Sequence, residues 1–155
     1  MIILGIDPGT RRVGYGLVKK IKRGLALIDA GILKIKSKED FGALVEVKNQ
    51  TKALIRKFRP RLVAIEKLYF VRNQKTGLGV AQARGVVILS VMEEGIKIKE
   101  FGPNEIKAGI TGYGLADKKA VAKMVKLILG RPNLKVIDDA SDALAAAILA
   151  SRTRA

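Results

Sequence analysis

Apolar residues form short unbroken runs early in the chain and 3.6-residue stripes further along. Ile2-Ile3-Leu4-Gly5-Ile6 does not alternate with polar residues, which predicts a strand over 2–7 buried on both faces. Residues 13–20 and 25–36 predict two more strands, joined through the turn-like KRG and DAG neighbourhoods as an antiparallel meander. Ser37, three residues before Asp40, resembles the start of a capping box. The helix it opens carries Phe41, Leu44, Val45, Leu54, Ile55 and Phe58 at helical spacing and stops at Pro60. "LVAIE" at 62–66 repeats the opening theme of an apolar strand closed by an acid. A long helix is predicted over 76–94, a short strand over 96–101, then a loop-rich basic stretch. Helices over 116–129 and 139–152 complete the pattern. No linker or repeat interrupts it, so a single α/β domain over 1–155 is expected.

Composition narrows the chemistry. At 155 residues, 48% apolar and 28% charged, the chain can bury a genuine core. No apolar run approaches the roughly 18 residues of a membrane span, and the N-terminus lacks a signal-peptide pattern. Cys is absent, so a reducing, cytoplasmic setting is expected. His is absent too, which excludes Ser-His-Asp triads and imidazole metal ligands. Lys and Arg total 30 against 14 acids, a net charge of +16. Such an excess opposes compaction and points to a polyanionic partner, with nucleic acid the leading candidate.

Against that basic background, two single acids and one acidic cluster stand out. Asp7 and Glu66 each end an apolar strand, where neighbouring strands would bring carboxylates together. Asp139 and Asp142, three apart, share a face of a helix otherwise rich in Ala, Leu and Ile; Asp138 and Asp142, four apart, could do the same. Clustered carboxylates repel unless protons or cations intervene, and hard oxygen ligands suit Mg²⁺ or Mn²⁺.

Taken together, "GIDPGTRRVGYGLV", "LVAIEKLYFVRN", "QARG" and "DDASDALAAAI" resemble the RuvC family of Holliday-junction resolvases, in order and at compatible spacing. The opening motif alone is shared with actin-like ATPases and sugar kinases, which need a second lobe and a longer chain. The resemblance implies an RNase H-like fold, a five-stranded mixed sheet flanked by helices with its first three strands antiparallel. It implies a homodimeric endonuclease that resolves four-way DNA junctions by paired symmetric nicks in recombination and repair. Asp7, Glu66, Asp139 and Asp142 would be the metal-binding catalytic carboxylates, holding two Mg²⁺ for which Mn²⁺ substitutes. The family pattern Asp-x-x-Asp-Ala-Leu-Ala selects Asp139 and leaves Asp138 as an N-cap. Lys107 and Lys118 match family lysines near the active site. Whether RuvA/RuvB-type branch-migration proteins are partners is left open.

DNA contacts are expected after Glu66. Tyr69 matches a family aromatic and could stack on an unpaired base; Phe70 is either a second stacking residue or a core member. Arg72 and Asn73 would lie near the scissile strand. Lys118 is also marked by its place in the first turn of a helix, where a cation opposes the macrodipole. Lys119, Lys123 and Lys126 form a basic stripe on the same helix. The dimer interface is expected on the helix over 76–94. There Gly77, Gly79, Ala81, Ala83 and Gly85 permit close approach, while Val80, Val86, Val87, Ile88 and Val91 supply apolar surface.

Overall fold

The computed structural model describes residues 1–69 and 74–153. Strands β1 (Ile2–Asp7), β2 (Arg12–Ile21) and β3 (Gly24–Lys34) come first, then helix α1 (Asp40–Phe58). Strand β4 (Leu62–Glu66), helix α2 (Gln74–Glu93) and strand β5 (Lys97–Phe101) follow. Helices α3 (Pro103–Thr111), α4 (Lys118–Ile128) and α5 (Asp138–Arg152) complete the described chain. The five strands lie in the order β3-β2-β1-β4-β5. β1 pairs antiparallel with β2 and β2 with β3, while β1–β4 and β4–β5 are parallel. This is the mixed sheet that the resemblance implies.

The sheet is buried on both faces, which is why its central strands do not alternate with polar residues. Leu4, Ile6, Val13, Val63 and Ile65 pack against α1 and α2. On the other face Ile3, Val18 and Ala64 join Leu144 and Ile148 of α5, with α3 and α4 outside. That second layer is unusually thin. A β-carbon at Gly5 would overlap the Ala143 carbonyl, and one at Gly14 the Asp139 carbonyl. Ala143, Ala145, Ala147 and Ala150 are fully buried in return. Small residues on both sides let α5 lie almost on the backbone of β1 and β2. Because Asp7 pairs with Gly14, this seats the α5 N-terminus directly over the end of β1. Gly14→Ala should therefore lift that end of α5 and move Asp139.

Several local expectations are corrected. Residues 103–111 form a helix rather than a loop. Pro103 sits at its first position, where a missing N–H costs nothing, and the Gly102 N–H donates to Glu105 Oε2 at 2.6 Å. The DAG turn is absent: Asp29 lies inside β3 beside a bulge, bonded by the Tyr15 hydroxyl and the Ala30 N–H. α1 starts at Asp40 without a Ser37 cap, because the Ser37 hydroxyl donates to the Glu39 carbonyl instead. Phe41 (81% exposed) and Val45 (60%) face outward, since the buried stripe of α1 runs through Ala43, Val47, Leu54 and Ile55. On α2, Ala83, Val87 and Val91 are buried in this chain's own core, so Val87 and Val91 do not supply interface surface. Asp138 opens α5 rather than capping it; Ile137 holds the cap position. Among the described residues no helix is long and apolar enough to cross a membrane.

Candidate active site

Three elements meet where the parallel strands end. β1 delivers Asp7, the adjacent β4 delivers Glu66, and α5 delivers Asp139 and Asp142 from its first turns. A cleft of about 340 Å³ opens there, lined by Asp7, Glu66, Asp142, Lys107 and Lys118. Ile106, Val121 and Ala145 form its apolar wall. α3 and α4 thus contribute one lysine each, and the α3 that was expected to be loop holds Lys107 in place.

The electrostatics follow from that wall. Asp7 is pushed up to about 7, first by burial and then by the charges of Asp142, Asp139 and Glu66, with Lys118 opposing. Glu66 is raised by burial and by Asp142, against Lys118 and Lys107. Lys118 is raised through its contact with Asp142, 3.1 Å from Nζ to Oδ2. Its ammonium stays charged although it sits at the α4 N-terminus, where Asp117 accepts from the Ala120 N–H at 2.7 Å. Arg12 stands 3.3 Å from Asp139. Among the described residues no three carboxylates close on one point: Asp139 is turned to Arg12 and Asp142 to Lys118. Excess negative charge is gathered here, with two exposed cations, Arg12 and Lys118, paired to Asp139 and Asp142.

Tyr69 is 60% exposed. Its hydroxyl stands 3.0 Å from where a β-carbon at Gly102 would be, beside Pro103 of the cleft. Its ring therefore rims the site. Phe70, Arg72 and Asn73 lie outside the described residues. Lys119 and Lys123 are exposed and Lys126 half-buried on α4.

Sequence reasoning missed Arg12 and Arg84. Arg12 lies inside the opening motif, yet in a chain with 30 basic residues nothing marks it as the partner of Asp139. Arg84, inside the QARG motif, donates from Nε to the Glu66 carbonyl at 3.4 Å.

This geometry has relatives. The family "Crossover junction endodeoxyribonuclease RuvC" matches residues 3–150. The protein of that name from Petrotoga mobilis is 43% identical over 149 residues, covering 95% of this chain and 91% of its own. The solved Thermus thermophilus RuvC superposes with a TM-score of 0.86 at 30% identity, over 97% of this chain and 93% of that one. The same protein in complex with a Holliday junction substrate gives 0.89, at the same identity and coverage. The yeast mitochondrial resolvase Ydc2, 15% identical with a TM-score of 0.66, shares the RNase H-like fold. Sequence, fold and the carboxylate-lined cleft agree: the chain belongs to the RuvC family of crossover junction endodeoxyribonucleases.

Proposed function

We propose that this chain, as a single nuclease domain in the cytoplasm, binds four-way junction DNA as a homodimer and nicks two opposed strands symmetrically. Asp7, Glu66, Asp139 and Asp142 would hold two divalent ions, Mg²⁺ or Mn²⁺. The supporting observation is Asp7, a carboxyl raised to about 7 by burial and three neighbouring carboxylates inside a +16 chain. Such a set of hard oxygens has charge that protons satisfy poorly at neutral pH and divalent cations satisfy well. When bound, the ions would supply activation of water and stabilisation of the leaving 3′ oxygen. The chain's own residues do the rest. The apolar wall of Ile106, Val121 and Ala145 excludes bulk water on one side. Lys107 and Lys118 present positive charge to the phosphate, and Lys118 is free to leave Asp142 as cations enter. Cleavage of a synthetic four-way junction with and without Mg²⁺ tests this reading. Absence of Mg²⁺-dependent nicking would refute it.

Two expected results arise here. Junction affinity should fall steeply with salt: six or more neutralised phosphates correspond to a loss of about 10³-fold or more between 50 and 200 mM. Anisotropy titrations across that range measure the slope, and a four-way junction should outcompete linear duplex throughout. Tyr69→Ala should slow cleavage by about tenfold or more while changing junction Kd less, since a stacked base worth roughly 1–3 kcal/mol holds the opened strand in place. Single-turnover rates beside binding curves decide it. An equal loss in both would make Tyr69 a simple binding contact.

A further inference from the structure

We infer that Arg84 of α2 is a positioning residue for Glu66, with Glu100 of β5 orienting Arg84 in turn. The inference rests on Glu66 acting as proposed above. Arg84 Nε donates to the Glu66 main-chain carbonyl at 3.4 Å, and Nη2 reaches the Glu100 carboxylate. The arginine side chain is only 20% exposed. Glu100 pairs with Ile65 in the β4–β5 register, one residue before Glu66. In the same peptide unit the Lys67 N–H points the opposite way and donates to the Phe101 carbonyl at 2.8 Å. Backbone 66–67 is therefore pinned twice, by β5 and by α2, at the point where the strand ends.

That point needs pinning. Regular structure stops at Glu66: the register with β1 ends at Ile65, and the Lys67–Phe101 bond is a single rung beyond the strand end. A side chain on a loosened strand end loses its place, and a misplacement of about 1 Å costs a reaction roughly 10²-fold. Arg84 suits the task because its planar fork holds an acceptor on each of two donors without bending. Lysine has no such fork. Arg84 bears on the place of Glu66 rather than its charge: the cations that lower the Glu66 carboxyl are Lys118 and Lys107. A direct phosphate contact is the rival role, but the side chain is only 20% exposed and its guanidinium is already paired with Glu100.

The test uses the full chain, a synthetic four-way junction and Mn²⁺. Arg84→Gln should lower the single-turnover cleavage rate by about 10²-fold while junction Kd stays within about twofold and its salt slope is unchanged. Mn²⁺ titrated without DNA should need about tenfold more ion for half its thermal stabilisation, as expected for a group that orients a ligand. Arg84→Lys should recover only part of the rate. Glu100→Gln, which keeps an acceptor, should lose little. The double variant Arg84→Gln/Glu100→Gln should be no slower than Arg84→Gln alone, because Glu100 acts through Arg84. Weaker binding with a salt slope reduced by about one would instead make Arg84 a phosphate contact. A lower Tm with wild-type rate and Mn²⁺ midpoint would make it a packing residue; either result overturns the inference. If the wild-type chain itself fails to cut the junction, the nuclease reading fails, while the Mn²⁺ midpoint still reports whether Arg84 positions Glu66.

Discussion

Asp7→Asn is expected to lower junction cleavage by about 10³-fold or more, roughly 4 kcal/mol of barrier, and at the same time to stabilise the metal-free fold. Both effects come from one carboxyl. Asn keeps the size and a hydrogen-bonding oxygen but not the charge that would hold cations, so the chemistry fails while DNA binding persists or tightens. Stability moves the other way because the fold binds the Asp7 proton more tightly than the unfolded chain does. The carboxyl is raised from 3.8 to about 7. Its contribution is thus most favourable below pH about 4 and is lost as pH rises towards 7, an effect of up to about 4 kcal/mol. Asn carries no such dependence. In chelator the variant should match wild type near pH 4 and melt higher at pH 8, by on the order of 5 °C or more. Millimolar Mg²⁺ should close part of that gap by stabilising wild type alone. Wild-type cleavage by Asp7→Asn, or equal melts at pH 8, would remove Asp7 from the site.

How much of this was readable beforehand depends on the kind of interaction. Asp7 and Glu66 were legible because an apolar run that ends in an acid breaks a local rule, and burial makes such a break costly. Helical spacing made Asp142 and an acid one turn before it legible, but it left Asp138 and Asp139 both open, and only the family pattern selected Asp139. What placed them over β1 was not legible. The contact of α5 with the sheet depends on Gly5 and Gly14 having no side chain, and a missing atom leaves no periodic mark. α3 escaped because its signals are local, a Pro at the start and a Glu two residues later, amid glycines that read as loop. Phe41 and Val45 fit a helical stripe, yet periodicity cannot tell a face that meets the core from one that meets another molecule. Arg12 and Arg84 lie inside the quoted motifs, but their partners were hidden by abundance. Which of many cations pairs with which carboxylate is decided by tertiary geometry alone.

Leu89→Glu is expected to turn a dimer into a folded monomer, and the outward faces of α1 and α2 supply the reason. Leu78 is 64% exposed, Leu89 54% and Met92 59%, and with Gly85 they form one stripe along α2. A β-carbon at Gly85 would meet nothing within 4 Å, so a second helix could approach its backbone closely. α1 packs beside α2 and extends the apolar surface through Phe41 and Val45. Exposed large apolar residues grouped across two adjacent helices are what a self-complementary interface presents. Val87→Glu would be the wrong probe, since Val87 is fully buried and a carboxylate there would unfold the chain. At Leu89, 54% exposed, the same charge is solvated in the monomer and would be buried only in the proposed dimer. Its desolvation, several kcal/mol in each of two copies, should raise the dimer Kd by about 10³-fold or more. Ala81→Glu, on an exposed position of the same helix, should act likewise. Sedimentation at micromolar concentration measures the association, and an unchanged melt establishes that the variant still folds. The monomer should nick a four-way junction in one strand and yield few paired products, because one carboxylate cluster serves one strand. Dimers that survive both substitutions would place the interface elsewhere, and efficient paired cutting by a monomer would show that each nick is made independently.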